Sequence, residues 1–171
     1  LTKYIALSAL DYRIKELQMS LESVRQFFAD RQLNVPIIEM EESTATVELA
    51  AQAHGVEPGR IAKTLAFRLG DGRAFLLVAR GDARIDNAKF KAALGKGKML
   101  AAEEVVHLTG HPVGGVCPFG LAHPLPVYLD VSLRDFDEVL PAAGSVHSAV
   151  RISTALLAEV TEGTWVDACR R

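Results

Sequence analysis

Only two cysteines, Cys117 and Cys169, occur in 171 residues, too few for a disulfide framework. A reducing, cytoplasmic setting is therefore expected. No apolar run approaches the ~20 residues that a membrane-crossing helix needs. A cationic start leading into an apolar stretch and a small-residue cleavage site is missing as well, so no membrane partner is expected. HExxH is absent, as are Walker and dinucleotide loops. His107 and His111 have helical spacing, but Gly110 and Pro112 interrupt the helix that would align them. Neither a metal nor a cofactor is expected. There is no internal repeat, low-complexity tract or linker.

What is present reads as one globular domain: 49% of residues are hydrophobic and 23% charged, a balance that argues against disorder. The formal net charge of −2 does not advertise a nucleic-acid binder, but its distribution is uneven. Residues 80–100 carry Arg80, Arg84, Lys89, Lys91, Lys96 and Lys98 against Asp82 and Asp86 only. Such a stretch suits a phosphate backbone; it also suits a solvated helix face and loop.

Residues 1–18 read as an appendage or N-terminal extension, with Ile5, Leu10, Ile14 and Leu17 inward if helical. Met19-Ser20 begins the compact pattern of residues 19–171, with Ser20 a candidate cap for the helix carrying Leu21, Val24, Phe27 and Phe28. A strand is predicted over Pro36–Met40, then a helix capped by Thr46 and closed by Gly55. Ile61–Leu69 and Arg73–Ala79 form a predicted hairpin around Gly70-Asp71-Gly72. Asp86 caps a helix ending at Gly95, and a short helix covers Glu103–Leu108. Strands are predicted at Val127–Leu129, Glu138–Pro141 and Val150–Ile152, and a last helix over Thr154–Val160. A hairpin combined with helix-separated strands predicts an α/β (mixed α+β) fold, one mixed sheet flanked by helices.

Lys63 is the most informative position. Strand alternation puts it in line with Ile61, Leu65 and Phe67, a side that should face the core. A buried ammonium is costly unless paired or useful, although a lysine at a strand end also snorkels to water. The run Gly114-Gly115-Val116-Cys117-Pro118-Phe119-Gly120 makes a shaped loop whose backbone N–H groups could hold an anion or a developing oxyanion, or only a turn. Ala143-Gly144-Ser145-Val146-His147-Ser148 offers hydroxyls and an imidazole, or an ordinary polar turn. Cys117 with a distant His147 is a candidate thiol pair; a loop spacer is the other reading.

Taken in order, these segments resemble the YbaK/ProX family of trans-editing aminoacyl-tRNA deacylases, related to the editing insertion of bacterial prolyl-tRNA synthetases. The resemblance covers Leu21 to about Thr164. It rests on Ser43-Thr44-Ala45-Thr46, Ile61-Ala62-Lys63-Thr64-Leu65, Ala83-Arg84-Ile85-Asp86, the Gly114–Gly120 loop, Leu129-Asp130 and Gly144-Ser145-Val146-His147. It implies a partly barrel-like mixed sheet with a pocket between helices and sheet. It also implies hydrolysis of the ester joining an amino acid to the 3′-terminal ribose of tRNA. Matching the motifs makes Lys63 the family's essential lysine. Gly114, Gly115, Val116, Pro118 and Gly120 would hold the aminoacyl-adenosine end, while Thr46 and the Gly144–Ser148 turn, with Gly144, Ser145 and His147, would line the pocket.

Implied partners are aminoacyl-tRNA and, further, an aminoacyl-tRNA synthetase. Members that clear cysteine carry a tyrosine near Met40 and an aspartate near Arg151. Lacking both, this chain is similar to members that remove small amino acids, such as alanine or 2-aminobutyrate, from tRNA(Pro). The alternatives are a non-catalytic tRNA- or synthetase-binding module of the same fold and an unrelated small-molecule esterase.

Overall fold

The computed structural model describes residues 8–171. Helix α1 (Ala9–Asp30) starts at Ser8, whose hydroxyl accepts the Asp11 N–H at 3.1 Å while the Asp11 carboxylate accepts the Ser8 N–H at 3.1 Å. This reciprocal box satisfies two donors that a helix start leaves unpaired. Ser20 is therefore not a cap; it is buried inside the helix. Leu10 is 67% exposed rather than inward. The side chains of Ile5, Ile14 and Leu17 lie outside the described residues.

The chain continues through β1 (Ile37–Glu39) and α2 (Val47–His54) to β2 (Ile61–Leu69) and β3 (Ala74–Arg80). Next come β4 (Arg84–Ile85), α3 (Asn87–Leu94), β5 (Gly97–Met99), α4 (Ala102–Thr109) and β6 (Val127–Asp130). It ends with β7 (Glu138–Pro141), β8 (Ser148–Val150), β9 (Ile152–Ser153), α5 (Thr154–Thr161), β10 (Thr164–Val166) and β11 (Cys169–Arg170). Local signals set several boundaries as the sequence predicts. Thr46 caps α2 by accepting the Leu49 N–H, Gly55 closes it at φ +65°, and Asp86 caps α3. The predicted strand at 150–152 is instead two strands. β8 pairs with β1, a ladder that the Arg151 N–H extends to Pro36 O, and from Ile152 the chain pairs instead with β7 as β9.

The main sheet is mixed and curls into a half-barrel. Its order is β10-β6-β3-β2-β7-β9, with β5 on the far end of β2's outer edge. The β2–β3 hairpin is antiparallel, whereas β6 joins β3, and β7 joins β2, in parallel. The principal core lies on the sheet face carrying Ala62, Ala66, Leu76 and Val78. Small side chains at 62 and 66 leave room there for Val24 and Phe28 of α1 and for Phe119, whose ring centroid is 4.9 Å from that of Phe28. Burying a side chain of this size stabilises by about 1.5–3 kcal/mol.

Alternation along β2 holds, but it is the alanine face, not the lysine face, that meets this core. On the other side Ile61 joins Ala50 and Leu140, and Phe67 joins Phe75 and Phe90, in two smaller clusters. Lys63 falls between them. Among the described residues no helix is long and apolar enough to cross a membrane.

Candidate functional site

Strand β2 is covered unevenly along its outer edge. Strand β7 pairs with Ile61–Ala62 and β5 with Phe67–Leu69, while Leu100 N–H reaches Ala66 O. Backbone groups alternate between edges, so Thr64 shares the outer orientation of Ala62 and Ala66. Among the described residues no backbone partner meets it there. A cavity of about 360 Å³ opens at this gap, within the size range of small-molecule sites. Its walls come from β2, the start of α2, α4 with the preceding residues 99–100, residues 113–116, and residues 140–149.

Of the sequence-derived candidates, Lys63, Thr46, Gly114 and Val116 line this cavity. Among the described residues Lys63 is the one charged residue in the lining. Its ammonium donates to Gly81 O at 3.2 Å and to Ala83 O, and among the described residues one of its three donors has no partner. Burial pulls its pKa below the ordinary lysine value; Cys169, Asp82 and Glu48 pull the other way, and Arg84 adds to the fall. The turn supplying these carbonyls is braced by Arg80, which donates to Asp82 at 2.5 and 2.8 Å and to Asp135 at 2.8 Å. These contacts hold the Arg80 pKa above its ordinary value. Arg80 thus belongs to the protein's own framework, not to a free basic patch.

The glycine loop is laid against its neighbours backbone to backbone. Gly114 has φ +85°, and a Cβ there would fall 2.9 Å from Ala45 Cβ; one on Gly115 would fall 2.7 Å from Ser145 N. Gly115 gives its N–H to Pro112 O and accepts the Gly144 N–H at 3.0 Å. Among the described residues the N–H groups of Gly114 and Val116 have no backbone partner, and both residues line the cavity. Gly115, Pro118 and Gly120 lie outside the lining, as do Gly144, Ser145 and His147. Gly120 and Gly144 pack on the Ser23 and Ser20 carbonyls of α1. Ser145 pairs with Ser148, which does line the cavity, at 2.6 Å. His147 is exposed and bonds Glu42 O through Nδ1 at 3.0 Å, while its carbonyl accepts Met40 N–H. These residues hold segment 40–44 in place and form a supporting layer behind the cavity.

Cys117 and His147 are not brought together. Cys117 is fully buried, 3.5 Å from His111 Nε2, and burial pushes its pKa up to about 12. A thiol held protonated in this way is a poor nucleophile. His111 bonds Ser20 at Nδ1 and Phe119 O at Nε2, 2.7 Å. A carbonyl only accepts, so Nε2 carries the proton and Nδ1 receives the Ser20 hydroxyl. Among the described residues no three metal-ligating side chains converge.

The sequence reading did not single out Thr44 or Thr64 as site residues; of the Gly144–Ser148 turn it expected in the lining, Ser148 is the member that lines the cavity. Thr64 directly follows Lys63, yet its place at an uncovered edge depends on two short strands that pair far along the chain. The Thr44 N–H is held by Val146 O at 2.6 Å, a contact with no local signature.

Comparison with known proteins follows the same outline. Residues 41–160 match the family model of the aminoacyl-tRNA editing domain. "Uncharacterized protein YwhH" of Bacillus subtilis (strain 168) is 48% identical over 154 residues, covering 89% of this chain and 98% of that protein. "Putative Cys-tRNA(Pro)/Cys-tRNA(Cys) deacylase EbsC" of Enterococcus faecalis (strain ATCC 700802 / V583) is 26% identical, covering 90% of this chain and 95% of that protein. A solved structure described as a "putative trans-editing enzyme for prolyl tRNA synthetase" superposes with a TM-score of 0.81 at 32% identity, covering 97% of this chain and 100% of that one.

Proposed function

We propose, since the chain belongs to the family of aminoacyl-tRNA editing domains, that it hydrolyses the ester of a mischarged aminoacyl-tRNA. The substrate in this reading is tRNA(Pro) bearing a small amino acid. Water attacks the ester carbonyl, the bond to the ribose oxygen breaks, and that oxygen takes up a proton. Free amino acid and uncharged tRNA leave.

The observation that carries the proposal is the pairing of one cation, Lys63, with a loop whose Gly114 and Val116 N–H groups lack backbone partners, around one cavity. Developing negative charge on the carbonyl oxygen is what preorganised donors and a nearby ammonium stabilise. An aminoacyl ester is already activated, so positioning of water and ester supplies much of what remains. A protein nucleophile is unnecessary, in keeping with the protonated Cys117 thiol. The apolar lining and modest volume support a small acyl group. The partner in this reading is the 3′-terminal aminoacyl-adenosine of tRNA in the cytoplasm, with a synthetase as a second partner.

Single-turnover deacylation across tRNA(Pro) charged with different amino acids tests the proposal. Hydrolysis that depends on the tRNA supports it. Binding without turnover identifies a non-catalytic module instead, and hydrolysis of simple amino-acid esters regardless of tRNA identifies a general esterase.

A further inference from the structure

Strands β4 and β11 form a two-stranded ribbon in which Arg84 stands directly across from Arg170, and Ile85 from Cys169. Side chains alternate between the faces of such a ribbon. Ile85 and Cys169 turn toward Ala79 and Ala83 in a buried cluster. The two arginines therefore share the opposite face, and both are exposed. Like charges placed directly across a strand pair repel each other. A nearby carboxylate would relieve that repulsion, but the acids around the ribbon are engaged elsewhere. Asp82 receives Arg80, Asp167 receives Lys89, and Asp86 accepts the Ala88 and Lys89 N–H groups at the start of α3. Among the described residues neither Arg84 nor Arg170 makes an ion pair, whereas Arg80, Lys89 and Arg171 all do.

The pair lies beside the reaction cavity. Ala83, the residue before Arg84, gives its carbonyl to the Lys63 ammonium, and the Arg84 charge is close enough to help lower the Lys63 pKa. Two neighbouring guanidiniums with no protein anion match a phosphodiester, whose oxygens accept paired N–H groups. Resting on the deacylase reading, we infer that Arg84 and Arg170 together hold one backbone phosphate of the substrate's single-stranded 3′ end, where that end passes the ribbon to bring its ester to Lys63. The contact is to the backbone and not to a base, so it positions the RNA without reading its sequence.

Binding, measured apart from turnover, tests this. Fluorescence anisotropy across a salt series follows a tRNA acceptor-stem hairpin with its single-stranded 3′ tail, and the same hairpin with neutral methylphosphonate linkages in the tail. The proteins are the parent, Arg84→Gln, Arg170→Gln and the double variant. Each single variant should bind the charged hairpin severalfold more weakly, with a salt slope shallower by about 0.7, the share of one single-strand phosphate. Each should melt at or above the parental temperature, because the repulsion between the arginines is relieved. Neutral linkages should weaken the parent about tenfold and the double variant by roughly twofold or less, since the contact they remove is already gone. An equal loss in parent and double variant overturns the inference, as do unchanged affinity and salt slope in both single variants. Turnover on mischarged tRNA separates the two readings. A parent whose binding depends on the pair but which hydrolyses no ester overturns the deacylase reading and leaves the phosphate contact standing. Hydrolysis with binding indifferent to the pair overturns the phosphate contact alone.

Discussion

The Ser20 hydroxyl donates to His111 Nδ1 at 2.6 Å, joining buried residues 91 positions apart. Through the second ring nitrogen the same imidazole holds Phe119 O at 2.7 Å. One neutral side chain thus ties α1 to both ends of the glycine loop's buried turn. Removing the donor by Ser20→Ala leaves Nδ1 buried and unpaired, a cost of about 1–3 kcal/mol. Chemical denaturation should report this loss; an unchanged midpoint would remove Ser20 from the account of how the loop is held.

Acid should loosen the same joint. Burial holds the His111 pKa below 6.5, against a smaller opposing effect of the Phe119 carbonyl, and burial with Arg151 does the same at His54. The folded state therefore binds protons less readily than the unfolded chain. The stability from these neutral histidines is complete above the unfolded value and is lost as pH falls through the depressed folded value. Melting temperature should decline below about pH 6.5, and His111→Asn should make that decline shallower. An equally steep acid limb in the variant would assign the proton uptake elsewhere.

Truncation tests the reading of residues 1–18. Among the described side chains of α1, Ser20, Val24 and Phe28 are buried, whereas Leu10 and Met19 are 67% and 63% exposed. Deleting residues 1–18 removes the Ser8–Asp11 cap but none of those contacts. A melting temperature lower by a few degrees with deacylation retained is expected. Loss of folding or activity would make the segment integral to the domain.

Which signals were legible depended on how local they are. The caps at Thr46 and Asp86, the stop at Gly55 and the 70–72 turn involve residues a few positions apart, so the sequence pattern reached them. Ser20 misled because a serine ahead of an apolar stripe looks the same whether it caps a helix or spends its hydroxyl on a distant histidine. The open edge at Thr64 was out of reach because β5 is three residues long and β7 four, too short to show alternation. The lysine face of β2 was misread as the core face because large residues were weighed above the small Ala62 and Ala66, although small residues are what let α1 and Phe119 approach.

The basic stretch divides once partners are known. Arg80 is spent on Asp82 and Asp135, and Lys89 reaches Asp167 at 3.2 Å and Cys169 O at 3.3 Å. Lys91, Lys96 and Lys98 are exposed. If they meet tRNA phosphates, activity should fall as salt rises. Replacing these three with Ala should raise KM and flatten the salt dependence, while Lys89→Ala should act mainly on stability. Kinetics and salt response identical to the parent would return all three to an ordinary solvated surface.

Lys63 is the residue on which the proposed chemistry turns. Lys63→Met keeps the aliphatic stem beside Ile61 and Leu65 but deletes the ammonium. Deacylation should fall by roughly a hundredfold or more, the scale of losing one electrostatic contact to a developing oxyanion. Stability should drop as well, by about 1 kcal/mol, because the Gly81 and Ala83 carbonyls lose a charged donor while relief of the ammonium's desolvation offsets part of the loss. Lys63→Arg should also deacylate poorly, since a planar guanidinium does not reproduce the compact ammonium between those two carbonyls. Single-turnover rates beside melting curves separate these effects. A Lys63→Met variant that stays folded and deacylates at the parental rate would confine Lys63 to bracing the 81–83 turn and leave the oxyanion to the loop alone.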